Sequence, residues 1–262
     1  SLSVRAFRSP LVSRSCSMWF EVSIILTGAF AAAFVTGAAG FGDALIASAI
    51  WLQFFLPAET VPLVVSCFLV MHIALIILMR RELDFQFFWP FLIGGAVGVP
   101  IGASLLMMVE PATFKMVAGA GLIIYGIVML ALRNLPHITA GGRLLDGFIG
   151  WIGGILGGFA GLSGFVPGVW CTQRGWARSQ ARGVTQPFIL SMHGMALGWL
   201  AYGGMVTSTT AERFVIAMPA VAVGAWLGLK LYRRFDEKKF RQCVLTILIV
   251  AGALLLANPG GA

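Results

Sequence analysis

The chain has 262 residues, of which 59% are hydrophobic and only 11% are charged, with a formal net charge of +8. A soluble globular domain carries about 25% charged residues, so this composition excludes a water-soluble fold. It predicts an integral, multi-pass membrane protein, which we expect in a bacterial inner (plasma) membrane. No basic run is interleaved with stacking aromatic residues, so the positive charge indicates basic cytoplasmic loops and not a nucleic-acid partner.

Apolar runs in chain order alternate with two short pieces that follow glycine-rich breaks. Residues 1–17 are predicted to be an extension, either a targeting segment or not native. The first repeat covers 18–132, a cytoplasmic linker 133–143, the second repeat 144–257 and a tail 258–262. Spanning a bilayer takes about 20 apolar residues. The predicted elements are Met18–Ala39, Ala44–Leu56, Val61–Met79, Phe87–Val109, Phe114–Leu132, Leu144–Ala160, Phe165–Thr172, Gly183–Tyr202, Phe214–Leu231 and Phe240–Ala257.

The two halves match each other weakly, which is typical of transporter folds. Each half has a broken pair followed by three full spans, and an odd number of crossings inverts the second half. We therefore predict an all-α inverted repeat of two five-element halves, each opening with a Gly-broken helical hairpin. The matched positions are Gly40 with Gly161, Met71-His72 with Met192-His193, and Phe114-Lys115 with Phe240-Arg241.

Loop charges agree with this topology. Arg80–Arg81, the central linker, the 174–182 loop and the 230–241 loop fall on one side, which then holds 13 of the 15 Lys and Arg residues from Met18 onward. This is a positive-inside pattern. It requires each broken pair to return to its starting side.

Four segments together resemble a known family. "GAAGFGDALIA" and "GGFAGLSGFVP" open the halves, and "GGAVGVPIGASL" and "AVAVGAWLGLKL" lie within later spans. This ordered set is similar to the sulfite exporter TauE/SafE family (TSUP, DUF81) over Phe20 to Ala257. The resemblance implies a membrane carrier for small sulfur-containing or organic anions, such as sulfite and sulfonates. The family usually has "GxGGG" at the first break, whereas this chain places Asp43 after Gly42.

The breaks are candidate substrate-binding segments, formed by Gly40, Gly42, Gly161, Ser163 and Gly164. Glycine lets a ligand approach the backbone closely. Half-helices that start after a break direct N–H groups and a partial positive charge toward an anion. The alternative is that these small residues only allow close helix packing.

Asp43 has several interpretations, because an acid within a membrane is expensive and usually functional. It could be a protonated proton carrier, it could pair with His72 or His193, or it could bind a cation. The structural alternative is an N-cap for a helix that begins at Ala44.

His72 and His193 are repeat equivalents near the centres of their spans. Neutral imidazole can donate to an anion or move a proton, and satisfied core histidines are the alternative. Gln186 lies seven residues before His193 and shares its helix face. An amide donates to oxyanions, so Gln186 and Thr185 join the candidate substrate-binding residues, with helix–helix contacts as the alternative.

Arg174, Arg178 and Arg182 recur every four residues and would share one face if their loop is helical. They could attract anions to a cytoplasmic entrance, or simply keep the loop inside.

The sequence contains no GxxxxGK[ST] segment, no HExxH motif and no nucleophile elbow. We therefore expect no enzyme, no cofactor and no resident metal. The favoured function is a secondary transporter of a small anion, with lipid and protons as further partners. The alternative is a cation or metal permease using Asp43, His72 and His193. Substrate identity, direction, stoichiometry and oligomeric state are not defined by the sequence.

Overall fold

A computed structural model describes residues 10–39, 42–79, 85–131, 142–231 and 237–258. This part of the chain contains ten helices and no strand, five in each predicted half, which confirms the predicted all-α class. The helices are α1 (Pro10–Ala39), α2 (Asp43–Trp51), α3 (Pro57–Met79), α4 (Phe85–Met108), α5 (Pro111–Ala131), α6 (Gly142–Ala160), α7 (Phe165–Gln173), α8 (Arg178–Tyr202), α9 (Ser208–Leu231) and α10 (Glu237–Ala257).

All helices except α7 begin earlier than their predicted apolar runs, and four of them, including α9 at Ser208 and not Phe214, begin four or more residues earlier. Helix α1 begins at Pro10, within the predicted extension, and α8 begins at Arg178 and not at Gly183. Helix α3 begins at Pro57, where a proline fits because its missing N–H would have had no partner in the first turn. Hydropathy locates the part of a helix that lies in lipid, and the polar ends continue beyond it. Most of the predicted linker, at 133–141, lies outside the described residues.

Both short helices fold back along the helix before them. The indole N–H of Trp51 at the end of α2 donates to the carbonyl of Ile24 in α1, at 3.2 Å. The indole N–H of Trp170 in α7 donates to the carboxylate of Asp146 in α6, at 2.7 Å. Helices α2 and α7 have nine residues each, about 14 Å of rise, too short to cross a bilayer core of about 30 Å. The predicted Gly-broken hairpins are confirmed.

Glycines set how closely the long helices pack. A Cβ atom added at Gly94 of α4 would come within 1.9 Å of the Gly147 carbonyl oxygen in α6. One added at Gly228 of α9 would come within 2.3 Å of the Phe34 carbonyl oxygen in α1. Real Cβ atoms cannot approach so closely, so these backbones touch only because the residues are small, as in other membrane bundles.

The main contacts between helices follow the repeat, so a contact made in one half has an equivalent in the other half. Helix α1 packs against α9 while α6 packs against α4, and α2 contacts α3 while α7 contacts α8. Helices α3 and α8, and likewise α5 and α10, are partners of each other. Equivalent helices therefore have equivalent surroundings.

The surface is apolar and the interior holds polar groups. Ile77 is 64% exposed and Trp226 is 58% exposed, whereas Gln186 is 1% exposed and His193 is fully buried. Such a surface suits lipid. In the described residues, five helices are long and apolar enough to cross a membrane: Met18–Ala38, Pro57–Leu78, Gln86–Met108, Pro111–Leu130 and Ser208–Lys230. The chain is an integral, multi-pass membrane protein.

Candidate functional site

The first break places a carboxyl group at the start of α2. The N-cap of α2 is Gly42, with φ of +106°, and no side chain caps this helix. Glycine adopts this left-handed conformation without a steric penalty. The proposed N-cap role of Asp43 is therefore wrong, because Asp43 is the first residue within the helix. Gly40, the other predicted glycine of this break, lies outside the described residues.

Asp43 pairs with His72, as one of the interpretations predicted. The distance between Oδ2 of Asp43 and Nε2 of His72 is 2.7 Å. The other ring nitrogen of His72, Nδ1, lies 2.6 Å from Oε1 of Gln186 in α8. All three side chains are buried. Both nitrogens of His72 are thus occupied, and one hydrogen-bond chain joins α2, α3 and α8.

This chain of hydrogen bonds from Asp43 through His72 to Gln186 constrains where a proton can reside. Oε1 of Gln186 only accepts, so Nδ1 of His72 donates to it. The bond between Nε2 and Asp43 then holds one proton, either on the ring as an ion pair or on the carboxyl as a neutral pair. If the Gln186 amide turns over, its NH₂ donates to Nδ1, and Nε2–H donates to the carboxylate with one proton fewer. The group can therefore take up or release a proton while both hydrogen bonds of His72 are kept.

The second break is held by the other histidine. Gly161 has φ of +74°, and its carbonyl oxygen lies 3.2 Å from Nε2 of His193. The rings of His72 and His193 lie 5.6 Å apart between their centroids. Each histidine thus binds the break of its own half, and the two rings bring the breaks together.

Asp43, His72 and His193 also form a group that could hold a cation. Each offers one ligand atom, and these atoms lie within 4.8 Å of one another. Carboxylate and imidazole suit zinc and related metals. The spacing of these three ligand atoms therefore allows one cation to contact all three residues.

Three other predicted residues have different surroundings. The hydroxyl of Thr185 donates to the Ala181 carbonyl at 2.8 Å, one turn earlier in its own helix. Gly164 precedes α7 with an ordinary helical φ of −78°, and an added Cβ would press on the Ile189 side chain at 2.5 Å. Packing explains Gly164. Ser163 is fully buried, and its hydroxyl has no partner in the described part of the chain.

The three arginines do not lie on one helix, so the condition under which they would share a helix face is not met. Helix α7 ends before Arg174, and α8 begins only at Arg178, whose side chain lies outside what the structure describes. Arg174 donates to Asp146 at 2.8 Å. The side chain of Arg182, a residue of α8, reaches the end of α1, where its guanidinium donates to the Ala38 carbonyl oxygen at 3.4 Å.

Two clusters of ion pairs were missed by sequence reasoning. Asp146, 2% exposed, pairs with Arg174, and the signal was an acid near the start of an apolar span. Arg213 of α9 donates to Glu21 of α1 and to Glu59 of α3, each at 2.8 Å. This second cluster ties α9 to the ends of two helices of the first half.

Membrane-crossing helices with two broken hairpins that meet at a buried polar cluster define a class: polytopic membrane transport proteins. The sequence model of the sulfite exporter TauE/SafE family matches residues 24–255. The match covers most of the chain, so the chain belongs to this family, which confirms the resemblance. No curated protein and no solved structure matches it. The family is one of membrane transporters.

Proposed function

We propose that this protein is a secondary transporter of a small anion of the sulfite and sulfonate class, coupled to protons. The observation that carries this proposal is the meeting of the two breaks at His72 and His193, whose rings lie 5.6 Å apart. Family membership supports the anion, since the family is described as sulfite exporters. The absence of a phosphate-binding loop in the sequence supports secondary transport.

Transport takes place by one repeat rocking against the other around this site. The exchange of helix partners between the halves supports an inverted repeat. The site is built from α2 and α3 of the first half and α8 of the second, so relative motion of the halves changes access to it. We place the protein in a bacterial inner membrane.

The Asp43–His72 pair is proposed to carry the coupled proton. Buried acids and histidines in membranes mark proton pathways. The pair can hold or release a proton while keeping its hydrogen bonds, and its charge changes with that proton. An incoming anion favours the protonated state, because that state places less negative charge beside the anion.

A cation permease is a second candidate, favoured by the 4.8 Å grouping of Asp43, His72 and His193. The departure of this chain from glycine at position 43 also favours it. The first candidate predicts that an anion binds and the second that a cation binds, so a binding measurement decides between them.

Thermal stabilisation of the detergent-purified protein tests both. A ligand that binds only the native state raises the free energy of unfolding, by about 2.7 kcal/mol when its concentration is 100 times its Kd. The melting temperature rises as a result. The panel holds sulfite, sulfate, thiosulfate, sulfoacetate, taurine, short carboxylates and divalent cations, at two pH values. The proposal predicts a shift with a sulfur anion, larger at the lower pH. A shift with divalent cations alone would overturn it in favour of the permease.

A further inference from the structure

Two polar atoms near the second break are buried without a hydrogen-bond partner in the residues that the structure describes. They are Nδ1 of His193 and the hydroxyl oxygen of Ser163. Both residues are 0% exposed. The hydroxyls of Thr36, Ser48 and Thr60 are also without a partner in those residues. Buried polar atoms are normally paired, and at the first break the Asp43 carboxyl and both ring nitrogens of His72 are. The unpaired Nδ1 of His193 and hydroxyl of Ser163 are contacts that a ligand at the second break would complete.

The hydrogen-bond polarity of His193 is fixed by its backbone partner. Nε2 lies 3.2 Å from the carbonyl oxygen of Gly161. A carbonyl only accepts, so Nε2 carries the hydrogen. In the neutral ring, Nδ1 is then an acceptor with a free lone pair. Any ligand atom that contacts this lone pair favourably must bring a hydrogen of its own.

The charges around His193 favour a ligand with a single negative charge. The titratable groups that face it are the Asp43 carboxyl from α2 and the His72 ring from α3. In the described part of the chain, Asp43 forms its ion pair with His72 and not with a lysine or an arginine. A dianion here would add two charges beside a carboxylate without a fixed cation, which a buried site tolerates poorly.

We propose that His193 determines specificity by selecting a singly charged oxyanion that still carries a hydrogen, which the ligand donates to Nδ1. This inference rests on the anion-transport function proposed above. Hydrogensulfite belongs to the selected class. Methanesulfonate has a similar size and charge, but it has no O–H and cannot make this contact. The hydroxyl of Ser163 is free to donate to an oxygen without hydrogen.

The test compares sulfite with methanesulfonate on the purified full-length protein by titration calorimetry over a pH series. Where hydrogensulfite predominates, sulfite binds about tenfold more tightly, as expected for one additional buried hydrogen bond. The preference disappears as the pH rises, because the sulfite dianion has no hydrogen to donate. Methanesulfonate reports any titration of the protein itself, so the ratio of the two Kd values isolates the ligand's proton.

His193→Phe removes the acceptor and keeps a ring of similar shape. It is expected to weaken sulfite binding about tenfold and to leave methanesulfonate binding nearly unchanged. Ser191→Ala is the matched control on the same helix, because the Ser191 hydroxyl is satisfied by the Pro187 carbonyl at 2.8 Å. This control should bind both anions as the wild type does. A melting curve without ligand shows whether each variant is folded.

The outcomes separate the two proposals. If the wild type binds both anions equally at every pH, this inference is overturned while anion transport stands, and water then satisfies Nδ1. If the wild type binds no anion, both proposals fail. The wild-type comparison alone decides the question should His193→Phe not fold.

Discussion

The two breaks occupy equivalent places in the two halves, yet their chemistry differs. The first has an acid, Asp43, and a histidine, His72, whose ring nitrogens both have partners. The second has no acid, and Nδ1 of its histidine, His193, has no partner among the residues that the structure describes. The repeated backbone thus places one histidine from each half at a single site. From this difference we propose that the first break carries the coupled proton and that the second contacts the ligand.

The largest expected difference between the breaks is in stability. His72→Phe leaves the Asp43 carboxyl buried without its partner, which typically destabilises a protein by about 3–5 kcal/mol. His193→Phe loses a single hydrogen bond to Gly161, which is worth about 1 kcal/mol. Unfolding of each variant in mixed micelles by a denaturing detergent would measure both values.

The double variant Asp43→Asn with His72→Phe is the control for this comparison. It removes the unpaired charge, so we expect it to recover a large part of the lost stability, as a double-mutant cycle for contacting residues should show. Equal losses for His72→Phe and His193→Phe would contradict the assignment of different roles.

A smaller effect is expected at Ser163. Ser163→Ala removes an unpaired buried hydroxyl, so the protein without ligand should be unchanged or more stable by about 1 kcal/mol. Its anion affinity should fall severalfold. Ser191→Ala loses a local hydrogen bond to Pro187 and should lose at most about 1 kcal/mol with unchanged affinity. Melting curves with and without sulfite would measure both, and a loss of stability in Ser163→Ala would show that its hydroxyl is paired.

Much of the fold was predictable because its signals are local. Apolar runs located the ten helices to within a few residues, apart from polar ends such as that of α8 at Arg178. Glycine clusters located both breaks. The repeat identified His72 and His193 as equivalent, although it could not show which atoms they bind.

The hydrogen-bond partners could not be predicted, because they depend on how distant helices pack. Gln186 and His72 are separated by 114 residues in the chain. The pairing of Arg174 with Asp146 likewise requires α7 to fold back along α6, so Arg174 was interpreted only as an entrance charge or as a charge that keeps its loop inside. Two residues seven apart on α8, Gln186 and His193, share a face as predicted but bind different partners.

The most direct test of the central claim is anion uptake into proteoliposomes together with the pH of their lumen. Labelled methanesulfonate is the probe, because it brings no proton, so proton movement must come through protein groups. The wild type should take up the label faster than protein-free vesicles and acidify the lumen. Asp43→Asn, which keeps its shape but cannot exchange a proton, should still exchange label without acidification. Wild-type uptake at the protein-free rate, or uptake without acidification, would contradict a proton-coupled anion transporter.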